Sequence, residues 1–129
     1  MILRRSVLAF LALPFAATTL LSPVALAHAP APGTHGGTRV HAGIFHAELV
    51  ADGTPAVSVY LSDTSDRPIP ADGFSATAIL VIDGKAQRFT LAPAGDNRLA
   101  GTAPVPVPGG VKGVIRIAAP DGSSAQAQY

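Results

Sequence analysis

The chemistry this sequence offers is imidazole. Its four histidines, His28, His35, His41 and His46, lie within nineteen consecutive residues, and the rest of the 129-residue chain has none. Imidazole nitrogen ligates transition metals and titrates near neutral pH, so such a cluster points to a metal ion or to a proton-sensitive contact. The sole glutamate, Glu48, follows two residues after His46 and adds a carboxylate to the candidate set. Cysteine is absent, which excludes a thiolate site, a disulfide framework and a lipid-modified cysteine. Any metal is therefore held by nitrogen and oxygen. Copper is the first expectation, with zinc or another divalent ion as the open alternative, and no organic cofactor is implied.

Residues 1–27 have the form of a cleaved export signal: Arg4 and Arg5, an apolar run over 7–21, then Ala25-Leu26-Ala27 as an A-x-A site. The arginine pair also has the shape of a twin-arginine signal, although paired arginines are ordinary in a general secretory n-region. Pro14, Ser22-Pro23 and the cleavage site argue against a membrane anchor, so a periplasmic mature chain with no membrane span is expected. Cleavage after Ala27 would make His28 the first residue, joining an α-amine to an imidazole in one chelate suited to copper(II). Loss of Arg4 and Arg5 takes nine basic residues to seven, against eight acidic. With no basic stripe, nucleic acid is not an expected partner.

Three regions follow from composition: the signal over 1–27, a flexible His/Pro/Gly arm over 28–37, and a β domain over 38–129. Within the last, strands are predicted at 38–41, 44–51, 56–62, 75–82, 86–92, 98–103, 111–118 and 125–129, with Asp83-Gly84 and Asp121-Gly122 as hairpin turns. The fold expectation is an antiparallel, immunoglobulin-like β-sandwich of seven to eight strands, without the cysteine and tryptophan hallmarks of that fold. A three-residue loop, Asp52-Gly53-Thr54, would set Leu49 opposite Val57, Ala47 opposite Val59 and Phe45 opposite Leu61 on the core side. The same register sets His46 opposite Tyr60 and Glu48 opposite Ser58, making one polar patch on the outer face.

Catalytic signatures are lacking. There is no cysteine nucleophile, no nucleophile elbow around a serine and no phosphate loop. Asp63, Asp66 and Asp72 lack the spacing and terminal glutamate of a calcium loop and read as turn formers.

His35-Gly36-Gly37, Phe45-His46-Ala47-Glu48-Leu49-Val50, Val59-Tyr60-Leu61-Ser62-Asp63, Leu91-Ala92-Pro93-Ala94-Gly95 and Asn97-Arg98-Leu99 together resemble a group of small exported bacterial proteins. Those sandwiches open with His-Gly-Gly and continue with an aromatic-His-x-Glu-Leu strand. Similar segments also look like the N-terminal part of periplasmic adaptor subunits of heavy-metal efflux systems. The resemblance implies a periplasmic role in handling copper or another heavy metal, with His35, His46 and Glu48 on motif positions; a metal ion and a periplasmic efflux adaptor subunit are the expected partners. A looser similarity is to periplasmic copper-resistance carriers whose mature chain starts with histidine; the aspartate and histidine that those supply from a late loop have no counterpart here. The expected function is thus a non-enzymatic carrier or buffer for copper or a similar ion, with His28, His35, His41, His46 and Glu48 as ligands. The alternative is an immunoglobulin-like interaction module that docks onto an efflux adaptor or envelope protein through its strand edges.

Overall fold

A computed structural model describes residues 29–129 and, before them, only Ala12, Pro14 and Ala16. Most of the expected signal segment, and His28, lie outside the described residues. Among the described residues every regular element is a strand: β1 (Ala31–Pro32), β2 (Thr38–Ala42), β3 (Phe45–Ala51), β4 (Ala56–Ser62), β5 (Ser75–Ile82), β6 (Lys85–Pro93), β7 (Arg98–Thr102), β8 (Lys112–Ala118) and β9 (Ser124–Gln128). None is a helix long and apolar enough to cross a membrane.

Period-two alternation is what makes these segments strands, since successive side chains point to opposite faces. In β4, Val57, Val59 and Leu61 are buried while Ser58 and Tyr60 are less so; in β5, Ala76, Ala78, Leu80 and Ile82 are buried while Ile79 and Val81 are exposed. The inward set from all the longer strands, with Val107 from the proline-broken 104–110 segment, forms one core.

All pairings are antiparallel, as expected for this all-β chain, in the order β1-β2-β3-β4-β7-β6-β5-β8-β9. Two features differ from the expected sandwich. The hydrogen-bond order is one continuous, curled sheet, because Ala92 and Pro93 at the end of β6 pair with Ala100 and Leu99 of β7. Gly101 permits that junction: a Cβ there would overlap the Thr90 carbonyl of β6. Among the described residues there are also nine strands, because Ala31–Pro32, expected within a flexible arm, pairs with Thr38 and Arg39 of β2.

The β3–β4 register also differs from expectation by two residues. Leu49 faces Val59, Ala47 faces Leu61 and Ala51 faces Val57; on the other face Glu48 is opposite Tyr60, and His46 is opposite Ser62. A two-residue slip preserves which face each side chain takes and changes only its neighbours. Its cause is tertiary. The connection is wider than a three-residue turn because its backbone is held by a distant segment. Gly53 N–H donates to Val107 O, Val107 N–H to Thr54 O, and Ala103 N–H to Pro55 O.

The curl brings β9 back toward the first strands, and Tyr129 fastens it there by donating its hydroxyl to Ala47 O of β3 at 2.9 Å. Burial, and the nearby negative charge of Glu48, raise the phenol well above its ordinary value of 10.0. Because the folded state favours the neutral phenol, this contribution to stability is complete below about pH 10 and is lost as pH rises toward the folded value. Tyr129→Phe is expected to lower unfolding free energy at neutral pH by about 1 kcal/mol. It should also flatten the alkaline limb of the stability profile, both read by urea titration across pH.

Candidate functional site

The site lies on the outer face of β2, β3 and β4, where alternation collects polar side chains. Arg39 pairs with Glu48 and His41 with His46 across β2–β3; Glu48 pairs with Tyr60 and His46 with Ser62 across β3–β4. An outer strand face left uncovered would be solvated. Instead, His46 is only 6% exposed and Glu48 only 4%. Neither sits in the apolar core, which takes their neighbours Ala47 and Leu49. They are covered from outside by two loops, the turn over 33–37 and the loop over 63–68.

The turn over 33–37 is built onto the Glu48 carboxylate. Its Oε2 accepts the backbone N–H groups of His35 and Gly37, each at 2.8 Å, and Oε1 is 2.8 Å from His35 Nδ1. Gly33 N–H donates to Gly37 O at 3.0 Å and closes the turn. The close fit requires glycine at 33, where any Cβ would overlap the Glu48 carboxyl. Since a carboxylate only accepts, His35 Nδ1 carries the proton in this pair, which leaves Nε2 with the lone pair when the ring is neutral. The His35 ring lies flat on Tyr60, with centroids 3.6 Å apart and planes 7° from parallel. The expected mobile arm is therefore, from Ala31 onward, a strand and a fastened turn.

The second loop supplies Asp66, which sequence reasoning took only for a turn former. Asp63 does fill that role, accepting Ser65 N–H at 2.8 Å and Arg67 N–H at 2.9 Å. Asp66 has a left-handed backbone at φ 63°, a conformation that aspartate tolerates better than most residues. Its carboxylate turns back over the sheet to His46 Nδ1 at 2.8 Å and to the Arg39 guanidinium. Those two partners, the imidazole bond first, hold the Asp66 carboxyl below its ordinary value, against a smaller desolvation effect. The Asp63-Thr-Ser-Asp sequence announced a turn, but nothing local could say over which strand face it would fold.

His46 is left in an unusual state. Its Nδ1 is bonded to Asp66, while its buried Nε2 has no hydrogen-bond partner among the described residues, the Ser62 hydroxyl opposite it included. The His41 ring meets the His46 ring edge-on, 4.4 Å between centroids and 89° between planes. Between the two loops a cleft of about 70 Å³ is lined by His35, Arg39, Glu48, Tyr60, Ser62 and Asp66, among others. It has room for little more than a few waters.

Four of the five expected ligands are thus on one face, in two subsets. His35 and Glu48 form one hydrogen-bonded group, and His41 and His46 form another through an edge-on ring contact. Among the described residues no group of three or more histidine, aspartate or glutamate side chains is arranged to hold a metal ion. His28 lies outside the described residues. Comparison with protein-family models, with curated proteins and with solved structures gave no match, so function is argued from this geometry.

Glu48→Gln is expected to lower stability by about 1 kcal/mol in denaturant unfolding, because a neutral amide makes weaker bonds to the turn than a carboxylate and makes His35 Nδ1 accept instead of donate. Gly33→Ala should destabilise in the same direction by displacing the turn. For Asp66, whose folded value is depressed, the contribution is present above its ordinary value of 3.8 and falls away as pH drops through the folded value. Asp66→Asn should therefore flatten the acid limb of the stability curve, read by thermal melts across pH.

Proposed function

We propose that this chain is a non-enzymatic, periplasmic metal-binding protein, a carrier or buffer for copper or a similar divalent ion that works with an efflux or resistance system. The observation that carries the proposal is His46 Nε2, buried and without a hydrogen-bond partner among the described residues. A buried polar atom left in this way costs about 1–3 kcal/mol, and a metal ion would take up its lone pair. A carboxylate on Nδ1, here Asp66, is the usual second partner of a metal-ligating imidazole; it fixes the tautomer and raises ligand basicity.

The His41 imidazole stands beside it as a second donor. β1 runs antiparallel to β2 with Ala31 opposite Arg39, so the chain before Ala31 leaves in the direction of His41. His28 is three residues upstream of Ala31. In this reading His28, His41 and His46 bind the ion, and His35 and Glu48 hold the turn. Two or three imidazoles with an amine favour copper(II), with zinc(II) the main competitor. The periplasmic setting and the link to efflux rest on the signal-like segment 1–27 and on the resemblance to efflux-associated sandwiches.

A second reading, an interaction module for an efflux adaptor or envelope protein with structural histidines, is favoured by the internal hydrogen bonding of His35 and Glu48. Native mass spectrometry of the protein purified from the periplasm, titrated with copper(II) and zinc(II), separates the two. The carrier should begin at His28 and take up one copper, and His41→Ala should weaken uptake at least about tenfold, the loss of one ligand. No uptake at micromolar metal, or equal uptake by His41→Ala, would favour the interaction module.

A further inference from the structure

The opposite half of the sheet carries a surface of different chemistry. On the outer face of β6, β5, β8 and β9 the register sets side chains in rows. Arg88 lies beside Ile79 and Val114 in one row; Thr77, Arg116 and Gln126 form the next; Val81 and Lys112 form the third. Ile79 is 40% exposed and Val81 51%, large values for branched apolar residues in mid-strand. Three cations thus surround an apolar centre. The strand positions on this face include no aspartate or glutamate. Neither arginine, nor Lys112, forms an ion pair among the described residues. A groove of about 400 Å³ runs between Arg88 and Arg116 over Ile79 and Val114.

Unpaired cations on a surface are common singly. Here they border one apolar groove on a chain whose formal charge is only +1. Guanidinium groups are suited to carboxylates, which they can grip with two parallel hydrogen bonds. Strand spacing and rise put the Arg88 and Arg116 backbones on the order of 12 Å apart, close to the span of four residues in an extended chain. Aliphatic side chains between two such carboxylates would fall on Ile79 and Val114. Three cations are too few for the counterion-driven binding that nucleic acids require. A recessed groove between the arginines fits a side chain better than the flat plane of a lipid headgroup layer.

From this complementarity we infer that the outer face of β6-β5-β8-β9 docks an extended acidic segment of a protein partner, with carboxylates on Arg88 and Arg116 and aliphatic side chains between them. The inference goes beyond metal binding and holds whether or not His41 and His46 ligate an ion.

The test is fluorescence anisotropy with the whole chain and a labelled synthetic peptide of about twelve residues, alternating threonine and valine with glutamate at every fourth position. The acidic peptide should bind and weaken as salt is raised, and a lysine-for-glutamate peptide should not bind. The double variant Arg88→Gln, Arg116→Gln should bind at least about tenfold more weakly, with an unchanged thermal melt because both side chains are exposed. Arg98→Gln, which removes the same charge from β7, should bind as the parent does. The inference is overturned if the acidic peptide fails to bind, if the double variant binds equally well, or if Arg98→Gln weakens binding as much. Capture by phosphatidylglycerol vesicles without peptide binding would also overturn it, and would assign the face to an anionic membrane surface.

Discussion

The Glu48 carboxylate is the interaction on which the candidate site depends. A carboxylate removed from water is stable only when most of its lone pairs are met. Two backbone N–H groups and one imidazole meet them here, all from two residues of one turn, His35 and Gly37. That arrangement buries Glu48 and fixes the 33–37 turn in the same step. It also sets the His35 ring on Tyr60 and leads the chain back through Ala31 along β2. The His-Gly-Gly sequence is thus first a structural device, whose glycines and backbone donors let the turn close on a charged side chain.

Asp66 does for His46 what the turn does for Glu48, in reverse. A half-exposed carboxylate from a loop is directed onto a buried imidazole and neutralised from the other side by Arg39. One nitrogen is satisfied and the other is not. Among the described residues that imidazole nitrogen is the one buried side-chain nitrogen or oxygen without a hydrogen-bond partner. Two carboxylate–imidazole pairs a few ångströms apart therefore differ in kind. His35 is held where its ring caps an aromatic neighbour at the surface; His46 is held beneath it, beside a second imidazole.

The two halves of the sheet divide the chemistry of the chain. Imidazoles, carboxylates and the turn that covers them occupy the outer face of β2, β3 and β4, whereas the outer face of β5, β6, β8 and β9 is cationic and apolar, without acids. The curl of one continuous sheet keeps these faces apart while its inward side chains share a single core. Tyr129, reaching from the end of β9 to Ala47, ties the far half to the strand that bears His46 and Glu48.

The sequence by itself determined that the chain is antiparallel and all-β, and which face most side chains take, because alternation within one strand is a local property. It also restricted ligation to nitrogen and oxygen and gathered the histidines at one end. Tertiary structure decided their neighbours. The β3–β4 register depends on hydrogen bonds from the connecting loop to Ala103 and Val107, some fifty residues away, which no local pattern encodes. The burial of His46 and Glu48 depends on two loops folding over an otherwise open face. Asp66 joined the site only because the loop after β4 turned back across β3, and a turn sequence specifies that the chain reverses without specifying what it lands on.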